Sequence, residues 1–167
     1  MQVITVLTHI FVQLMTEQEV IDKVCDRVVN NIYNELDYYM FEELGFMETN
    51  DEYVKYADKL IVKIIKELKN FYDRPRPNVL AKKMNIKLDM MDIKSAKTPS
   101  YPSGHTAQGY LIALVLSDKH PKNKKAFMKL AKDISDSRNM AKVHYKSDSV
   151  FGKKLGEALY KHIKNKI

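Results

Sequence analysis

The stretch NDEYVKYADKLIVKIIKELKNFYDRPRP, residues 50–77, carries the clearest structural pattern in the chain. Its apolar positions recur at the three- and four-residue spacing of one helix face: Tyr53, Val54, Ala57, Leu60, Ile61, Ile64, Leu68 and Phe71. The pattern stops at Pro75 and Pro77, because proline lacks the backbone N–H that a continuing helix needs. The stretch therefore predicts a long helix that begins near Asn50 or Asp51 and ends in a cation-rich loop.

Helical spacing recurs on both sides of this stretch. Upstream it predicts a helix over residues 17–44, where Thr16 and Glu19 form the pattern of a capping box. Downstream it predicts a short helix and then irregular chain over 78–91, a surface loop over 92–101, and three helices over 103–119, 122–146 and 148–164. No stretch keeps the alternating pattern of a strand, so the sequence predicts an all-α fold.

Composition narrows the class of protein. The 167 residues are 45% hydrophobic and 29% charged, which is the balance of a globular domain rather than a disordered chain. Five Gly and five Pro are too few for a turn-rich β-sandwich. The single cysteine, Cys25, excludes an internal disulfide framework and a multi-cysteine metal site. The longest unbroken apolar run, residues 110–116, is far shorter than the roughly 20 residues of a membrane span.

The first fifteen residues are fairly apolar, yet they lack the marks of a secretory signal. No Lys or Arg precedes their apolar positions, and no small-residue cleavage site follows them. We therefore interpret them as part of a partly buried first helix. With no signal and a single cysteine, we expect a cytoplasmic protein.

Among the basic residues, Lys is far more frequent than Arg. Lys and Arg number 28 against 21 Asp and Glu, a net charge of +7, but only four of the 28 are Arg: Arg27, Arg74, Arg76 and Arg138. Arg presents a rigid planar fork that binds phosphate or carboxylate through two hydrogen bonds, whereas Lys is a point charge. In a chain that otherwise uses Lys, each Arg is a candidate for such binding. Three of the four fall in the segments described next.

Two segments have the residue types of an anion site. The first, residues 69–77, places Lys69, Arg74 and Arg76 around a predicted helix end. The second, residues 102–106 (PSGHT), opens a predicted helix, where free backbone N–H groups and the positive end of the helix dipole attract an anion.

A third segment, residues 137–148, adds a histidine paired with a carboxylate. His144 and Asp148 are four residues apart, so on one helix they would share a face, and the carboxylate would fix which ring nitrogen stays basic. Arg138 lies six residues before His144, about 240° around an ideal helix. Both reach one site only if the Arg stretches or if the helix begins or bends between them.

Together these groups suit phosphoryl transfer, in which the trigonal anionic group in flight needs several donors around its oxygens. The candidate donors are Lys69, Arg76, Ser103, Gly104 and Arg138. His144 backed by Asp148 suits the nucleophile, and His105 suits the acid that protonates the departing alkoxide. No metal or other cofactor is expected, because the cations supply the charge and the sequence offers no carboxylate cluster.

The chain resembles the type 2 phosphatidic acid phosphatase superfamily in three motifs that occur in the family's order: Lys69-x6-Arg76-Pro77, Pro102-Ser103-Gly104-His105 and Ser137-Arg138-x5-His144-x3-Asp148. The resemblance implies an all-helical core and a metal-free mechanism with a phosphohistidine at His144, Asp148 as its partner and His105 as the leaving-group acid. It also implies phosphate contacts from the five candidate donors. Without a membrane span, the chain is similar to the soluble branch, the class A nonspecific acid phosphatases.

From residues and resemblance together we predict one phosphatase domain over residues 1–167, a single-domain helical bundle with its active site at helix ends and loops. It would hydrolyse phosphomonoesters without a metal, with lipid phosphates and pyrophosphates as further candidate substrates. The expected partner is a small phosphorylated substrate, and contact with an anionic membrane surface is a second candidate.

Two other functions stay open at this point. A vanadate-dependent haloperoxidase-like enzyme would use the same pocket, because vanadate mimics phosphate. A basic helical protein that binds nucleic acid or a membrane surface would use the charge of +7. The lysines, however, are scattered through every predicted helix rather than stacked on one, so nucleic acid is not expected as a partner.

Overall fold

The computed structural model describes residues 16, 19, 50–91, 93 and 96–164. In this part of the chain all regular structure is helical: α1 (Asn50–Tyr72), α2 (Pro77–Lys83), α3 (Gly104–Lys119), a 3-10 turn (Pro121–Asn123), α4 (Lys124–Met140) and α5 (Lys146–Lys164). The predicted all-α fold is confirmed. None of the helices described combines the length and the apolar character that crossing a membrane requires.

The predicted capping box at the start of the first predicted helix is confirmed. The N–H and the hydroxyl of Thr16 donate to Glu19 Oε2 over 2.7 and 2.8 Å, and the N–H of Glu19 donates to Thr16 Oγ1 over 3.3 Å. The remainder of the helix predicted over residues 17–44, with Cys25 and Arg27, lies outside the described residues, as do residues 1–15.

Three long helices enclose the main core. From Ala57 onwards, the buried face of α1 is the face that the sequence predicts, and it packs against α3 and α5. The largest buried side chains are Leu60, Ile61, Ile64, Leu68, Leu111, Val115, Phe151, Leu155, Leu159 and Ile163, each at most 2% exposed. α4 packs on α3 through a second cluster that includes Ala131 and Tyr110. α3 is therefore the helix on which the other long helices assemble, and removal of this apolar surface from water is the main force that holds them.

Two glycines let α5 approach the backbone of α3. A Cβ on Gly152 would lie 2.6 Å from the carbonyl oxygen of Ser103, and one on Gly156 would lie 2.5 Å from the carbonyl oxygen of Ala107. Only glycine permits contacts this short. The close approach brings the beginning of α5, which carries Asp148, beside the beginning of α3, where the N–H of Ser103 donates to the carbonyl of Asp148 over 3.0 Å.

The connection between α4 and α5 corrects the predicted helix over 122–146. α4 ends at Met140, because Lys142 adopts a left-handed φ of 56°. The N–H of Val143 then donates to the carbonyl of Arg138 over 3.3 Å, and the N–H of Lys142 donates to Asn139 over 3.0 Å, the two bonds of a Schellman motif. This motif usually has glycine at its left-handed position, so a lysine there gave no sequence signal.

As a result, the prediction that His144 lies within a helix is wrong, and His144 and Asp148 do not meet across one helix face. His144 lies in the connection before α5, which begins at Lys146 rather than at Asp148. The chain direction changes between Arg138 and His144, and this removes the spacing conflict noted in the sequence. The predicted ends of the helices α1 and α3 agree with the structure to within a few residues, and α2 is the short helix predicted within residues 78–91.

Gly156→Ala is expected to lower the free energy of unfolding by about 1–3 kcal/mol, the usual cost of overpacking, because its methyl group would meet the backbone of Ala107. Gly109→Ala is the matched control. Its Cβ would meet Ile134 and Ala131 only at 3.6–3.7 Å, and alanine favours a helix more than glycine does. Urea unfolding of both variants measures the difference, and equal stability would contradict the close packing of α5 on α3.

Candidate active site

The three motif segments meet at one cavity of about 330 Å³. The predicted site residues that line it are Lys69, Arg76, Gly104, His105, Arg138 and His144. Ser103 and Asp148 lie directly behind this lining and are 0% exposed. The structure therefore brings together all eight predicted residues, which come from the end of α1 and the loop after it, the beginning of α3, the end of α4, the connection that follows it and the beginning of α5.

Two buried cations hold the segments around the cavity. Lys69 Nζ donates to the carbonyl of Pro99. Arg76 donates through Nε to the carbonyl of Thr98 over 2.7 Å and through Nη1 to the carbonyl of Val143 over 2.8 Å. Because these carbonyls belong to the loop before α3 and to the connection after α4, the two side chains join all three motif segments while their charge stays at the cavity.

The loop after α1 is folded by backbone contacts. The N–H of Asp73 closes the last turn of α1 on the carbonyl of Lys69 over 3.0 Å, and Asp73 then adopts a left-handed φ of 39°. The N–H of Ser100 donates to the carbonyl of Arg74 over 2.9 Å. Pro75 and Pro77 keep the intervening chain out of the α1 helix, so that Arg76 turns back towards the cavity.

His144 and Asp148 form the predicted pair. Nδ1 of His144 lies 3.1 Å from Oδ2 of Asp148, which also accepts the N–H of Tyr145 over 3.0 Å. An ionised carboxylate only accepts, so Nδ1 carries the proton and the lone pair is on Nε2. Nε2 lies 3.3 Å from Nη1 of Arg76, at the cavity. The contact is the one predicted, although a turn rather than a helix face produces it.

The protonation states follow from burial and charge. Burial lowers the pKa of His144; the hydrogen bond to Asp148 opposes this, and the charge of Arg76 adds to it. Burial also lowers the pKa of His105, with a further contribution from the charge of Arg138. For Asp148, burial alone would raise the pKa, but hydrogen bonds from His144 and from the N–H of Tyr145 hold it below its usual range. At neutral pH the carboxylate is charged and both imidazoles are neutral.

The beginning of α3 supplies backbone donors. The first hydrogen bond within the helix runs from the N–H of Ala107 to the carbonyl of Ser103 over 3.1 Å, so the N–H groups of residues 104–106 have no acceptor within the helix. The Ser103 hydroxyl does not cap them; it lies 2.9 Å from Thr106 Oγ1. Gly104 presents no side chain to the cavity, which leaves room for an anion at the positive end of the helix dipole.

The surroundings of the eight predicted residues differ in part from what the sequence indicated. Arg74, which the sequence places in the cation cluster, does not line the cavity; its Nη1 donates to Asp148 Oδ1 over 2.7 Å. Lys66 and Gln108, which the sequence analysis did not single out, do line the cavity. Lys66 was predictable from the sequence, because it precedes Lys69 by one helical turn and so lies on the same side of α1. Among the residues that the structure describes, no group of three His, Cys, Asp or Glu side chains could hold a metal ion.

Comparisons with known proteins agree with this geometry. The family model described as the PAP2 superfamily matches residues 55–165. A non-specific acid phosphatase from Salmonella typhimurium (strain LT2) is 35% identical over 88 residues, which are 53% of this chain and 35% of that protein. Another, from Providencia stuartii, is 44% identical over 55 residues, 33% of this chain and 22% of that protein. The chain spans about a third or less of these relatives.

A solved structure shares the fold. The crystal structure of a transmembrane PAP2 type phosphatidylglycerolphosphate phosphatase from Bacillus subtilis superposes with a TM-score of 0.52 at 22% sequence identity. The superposition covers 88% of this chain and 74% of that chain.

Phosphate binding at pH 8 is expected to take up protons. Burial, with the charge of Arg76, lowers the pKa of Lys69 to about 8, and an anion in the cavity raises it again because it favours the ammonium form. Calorimetry of phosphate binding in buffers of different ionisation enthalpy measures the uptake. In Lys69→Arg, whose side chain is charged at every accessible pH, the uptake should be smaller. Equal uptake by both proteins would contradict the assignment of Lys69 to the anion site.

Proposed function

This chain belongs to the PAP2 superfamily, and we propose that it is a metal-independent phosphatase that hydrolyses phosphomonoesters through a phosphohistidine at His144. The observation that supports this most is the buried pair in which Asp148 holds Nδ1 of His144 at 3.1 Å. The pair leaves the Nε2 lone pair at a cavity that Lys69, Arg76 and Arg138 also line. A nucleophile and the charges that stabilise its transition state therefore occur together.

The cations and the beginning of α3 bind the phosphate of the substrate. Lys69 and the guanidinium groups of Arg76 and Arg138 balance its charge, and the N–H groups of residues 104–106 donate to its oxygens. These donors are fixed before substrate arrives, because both Lys69 and Arg76 are hydrogen-bonded to backbone carbonyls. These three cations neutralise the phosphate charge that a metal ion would neutralise in a metal-dependent phosphatase.

In the first step, the Nε2 lone pair of His144 attacks phosphorus. The bond from phosphorus to the ester oxygen breaks, and protonated His105 gives its proton to that oxygen, so that an alcohol leaves. The product is a phosphohistidine whose ring carries a positive charge, and the carboxylate of Asp148 stabilises this charge through Nδ1–H.

In the second step, water attacks phosphorus on the side that the alcohol has left. Neutral His105 accepts a proton from the water, the phosphorus–nitrogen bond breaks, and its electron pair returns to Nε2 of His144. Inorganic phosphate leaves, and both histidines regain their starting states. His105 thus acts as acid and then as base, as microscopic reversibility requires of one group at the leaving-group position.

The lowered pKa values favour acidic conditions. His144 must be neutral to attack, and its lowered pKa keeps it neutral as the pH falls below the usual range of histidine. His105 must be protonated to act first, and its lowered pKa moves this form to acidic pH as well. Bound phosphate dianion raises both pKa values, which increases the protonated fraction of His105 in the complex.

The cavity suits a small leaving group. Its volume of about 330 Å³ lies at the lower end of ligand pockets, so a phosphate and a modest organic group fill it. Beyond the phosphate end its wall combines apolar Val62 and Ile65 with polar Lys66, Asn70 and Gln108. A wall of this mixed character accommodates leaving alcohols of varied polarity. The relatives named non-specific acid phosphatases agree with a broad range of substrates.

Trapping of the covalent intermediate tests this function. Wild-type protein mixed with ³²P-labelled p-nitrophenyl phosphate and quenched in alkali should carry acid-labile, base-stable label, and His144→Ala should carry none. His105→Ala should carry more label than the wild type. Nitrophenolate leaves without a proton, whereas hydrolysis of the phosphohistidine still needs a base. Equal label on His144→Ala and wild type would contradict the proposal.

A further inference from the structure

We propose that Arg74 is a positioning residue that fixes the carboxylate of Asp148 and, through it, the orientation and charge state of His144. The proposal rests on the proposed function at His144, and it gives a role to the Arg of the first motif that does not line the cavity.

The two oxygens of the Asp148 carboxylate accept hydrogen bonds from different partners. Oδ2 accepts from Nδ1 of His144 over 3.1 Å and from the N–H of Tyr145 over 3.0 Å. Oδ1 accepts from Nη1 of Arg74 over 2.7 Å. The contact from Arg74 therefore does not compete with His144, and it fixes the rotation of the carboxylate about its Cβ–Cγ bond.

Burial makes a charged partner necessary. Asp148 is 0% exposed, and an ionised carboxylate in that position is strongly disfavoured unless a charge and hydrogen bonds compensate it. His144 is neutral in the resting site, so its hydrogen bond brings no full charge to Asp148. Arg74 brings one in direct contact, and the Arg74 side chain is 36% exposed. One end of the guanidinium thus reaches solvent while the other end balances the buried anion.

Arg74 is itself held in place from several sides. Its Nη1 donates to the Ser147 hydroxyl over 2.7 Å, and its guanidinium carbon lies 4.2 Å from the centre of the Tyr145 ring. The backbone carbonyl of Arg74 accepts the N–H of Ser100 over 2.9 Å. The side-chain contacts join the loop after α1 to the beginning of α5, and the backbone contact joins it to the loop before α3. A planar cation stacked on an aromatic ring keeps its direction, which a flexible lysine would not.

Loss of the Arg74 charge should raise the pKa of His144. Several charged or titratable groups surround this imidazole, on the cavity side and behind it: Lys69, Arg76, His105, Arg138, Asp148 and, in contact with Asp148, Arg74. Without Arg74, the carboxylate attracts the imidazolium more strongly, and a nearby repelling cation is gone. Both effects act in the same direction and raise the pKa of His144. The nucleophilic neutral form is then lost at a higher pH.

The experiment compares Arg74→Gln and Arg74→Lys with the wild type and with Lys146→Gln. Lys146 is exposed and lies two residues before Asp148, so its substitution removes the same charge nearby. Three quantities are measured in each full-length protein: the titration of His144 by NMR, the pH profile of kcat/KM for p-nitrophenyl phosphate, and the inhibition constant of inorganic phosphate. Circular dichroism establishes that each variant is folded.

In Arg74→Gln the pKa of His144 should rise by about one pH unit, and the acidic limb of kcat/KM should move with it. The value of kcat should fall about ten- to a hundredfold, as for other partners that orient a functional histidine. The inhibition constant of phosphate should change less than twofold. In Arg74→Lys the pKa of His144 should return most of the way to its wild-type value.

A His144 titration in Arg74→Gln that moves no further than in Lys146→Gln would overturn the proposal. A tenfold weaker inhibition by phosphate would also overturn it, because Arg74 would then bind the substrate. Should the wild type itself fail to hydrolyse p-nitrophenyl phosphate, the proposed function fails, whereas the NMR titration still decides the role of Arg74.

Discussion

The site depends on one buried carboxylate. Asp148 has no contact with solvent, so every polar atom of the residue must be matched inside the protein. Its carbonyl accepts the N–H of Ser103, and its side chain accepts from His144, Tyr145 and Arg74. These partners come from all three motif segments, which are far apart in the sequence. The carboxylate draws on the first and third segments and the backbone carbonyl on the second, so this one residue joins all three segments where they surround the cavity.

The apolar core makes this meeting possible. α3 lies between α4 on one side and α1 with α5 on the other, so that the ends of several helices open onto the same point. Gly152 and Gly156 remove the side chains that would hold α5 away from α3. Cations that repel one another, Lys69 and Arg76 among them, are kept close by backbone carbonyls and by the packed helices around them. The packed helices thus hold together a cluster of cations that is electrostatically unfavourable by itself.

The sequence predicted what depends on local pattern and residue type. The prolines after α1 and the His120-Pro121 pair after α3 are local stop signals, so these helix ends were predicted closely. The unusual use of Arg identified Arg76 and Arg138, which line the cavity. The helix end at Met140 was missed because a lysine occupies the left-handed position of its C-cap. The contact of Arg74 with Asp148 and the close approach at Gly156 depend on tertiary packing, for which a single sequence carries no local signal.

A crystal structure with orthovanadate would decide whether His144 is the nucleophile, because pentacoordinate vanadate imitates the transition state of phosphoryl transfer. We expect vanadium bonded to Nε2 of His144. Arg76 and Arg138 should contact the equatorial oxygens, and His105 should lie beside the opposite axial oxygen. Vanadate bound outside this cavity, or bound within it with no bond to His144, would contradict the assignment of His144 as the nucleophile.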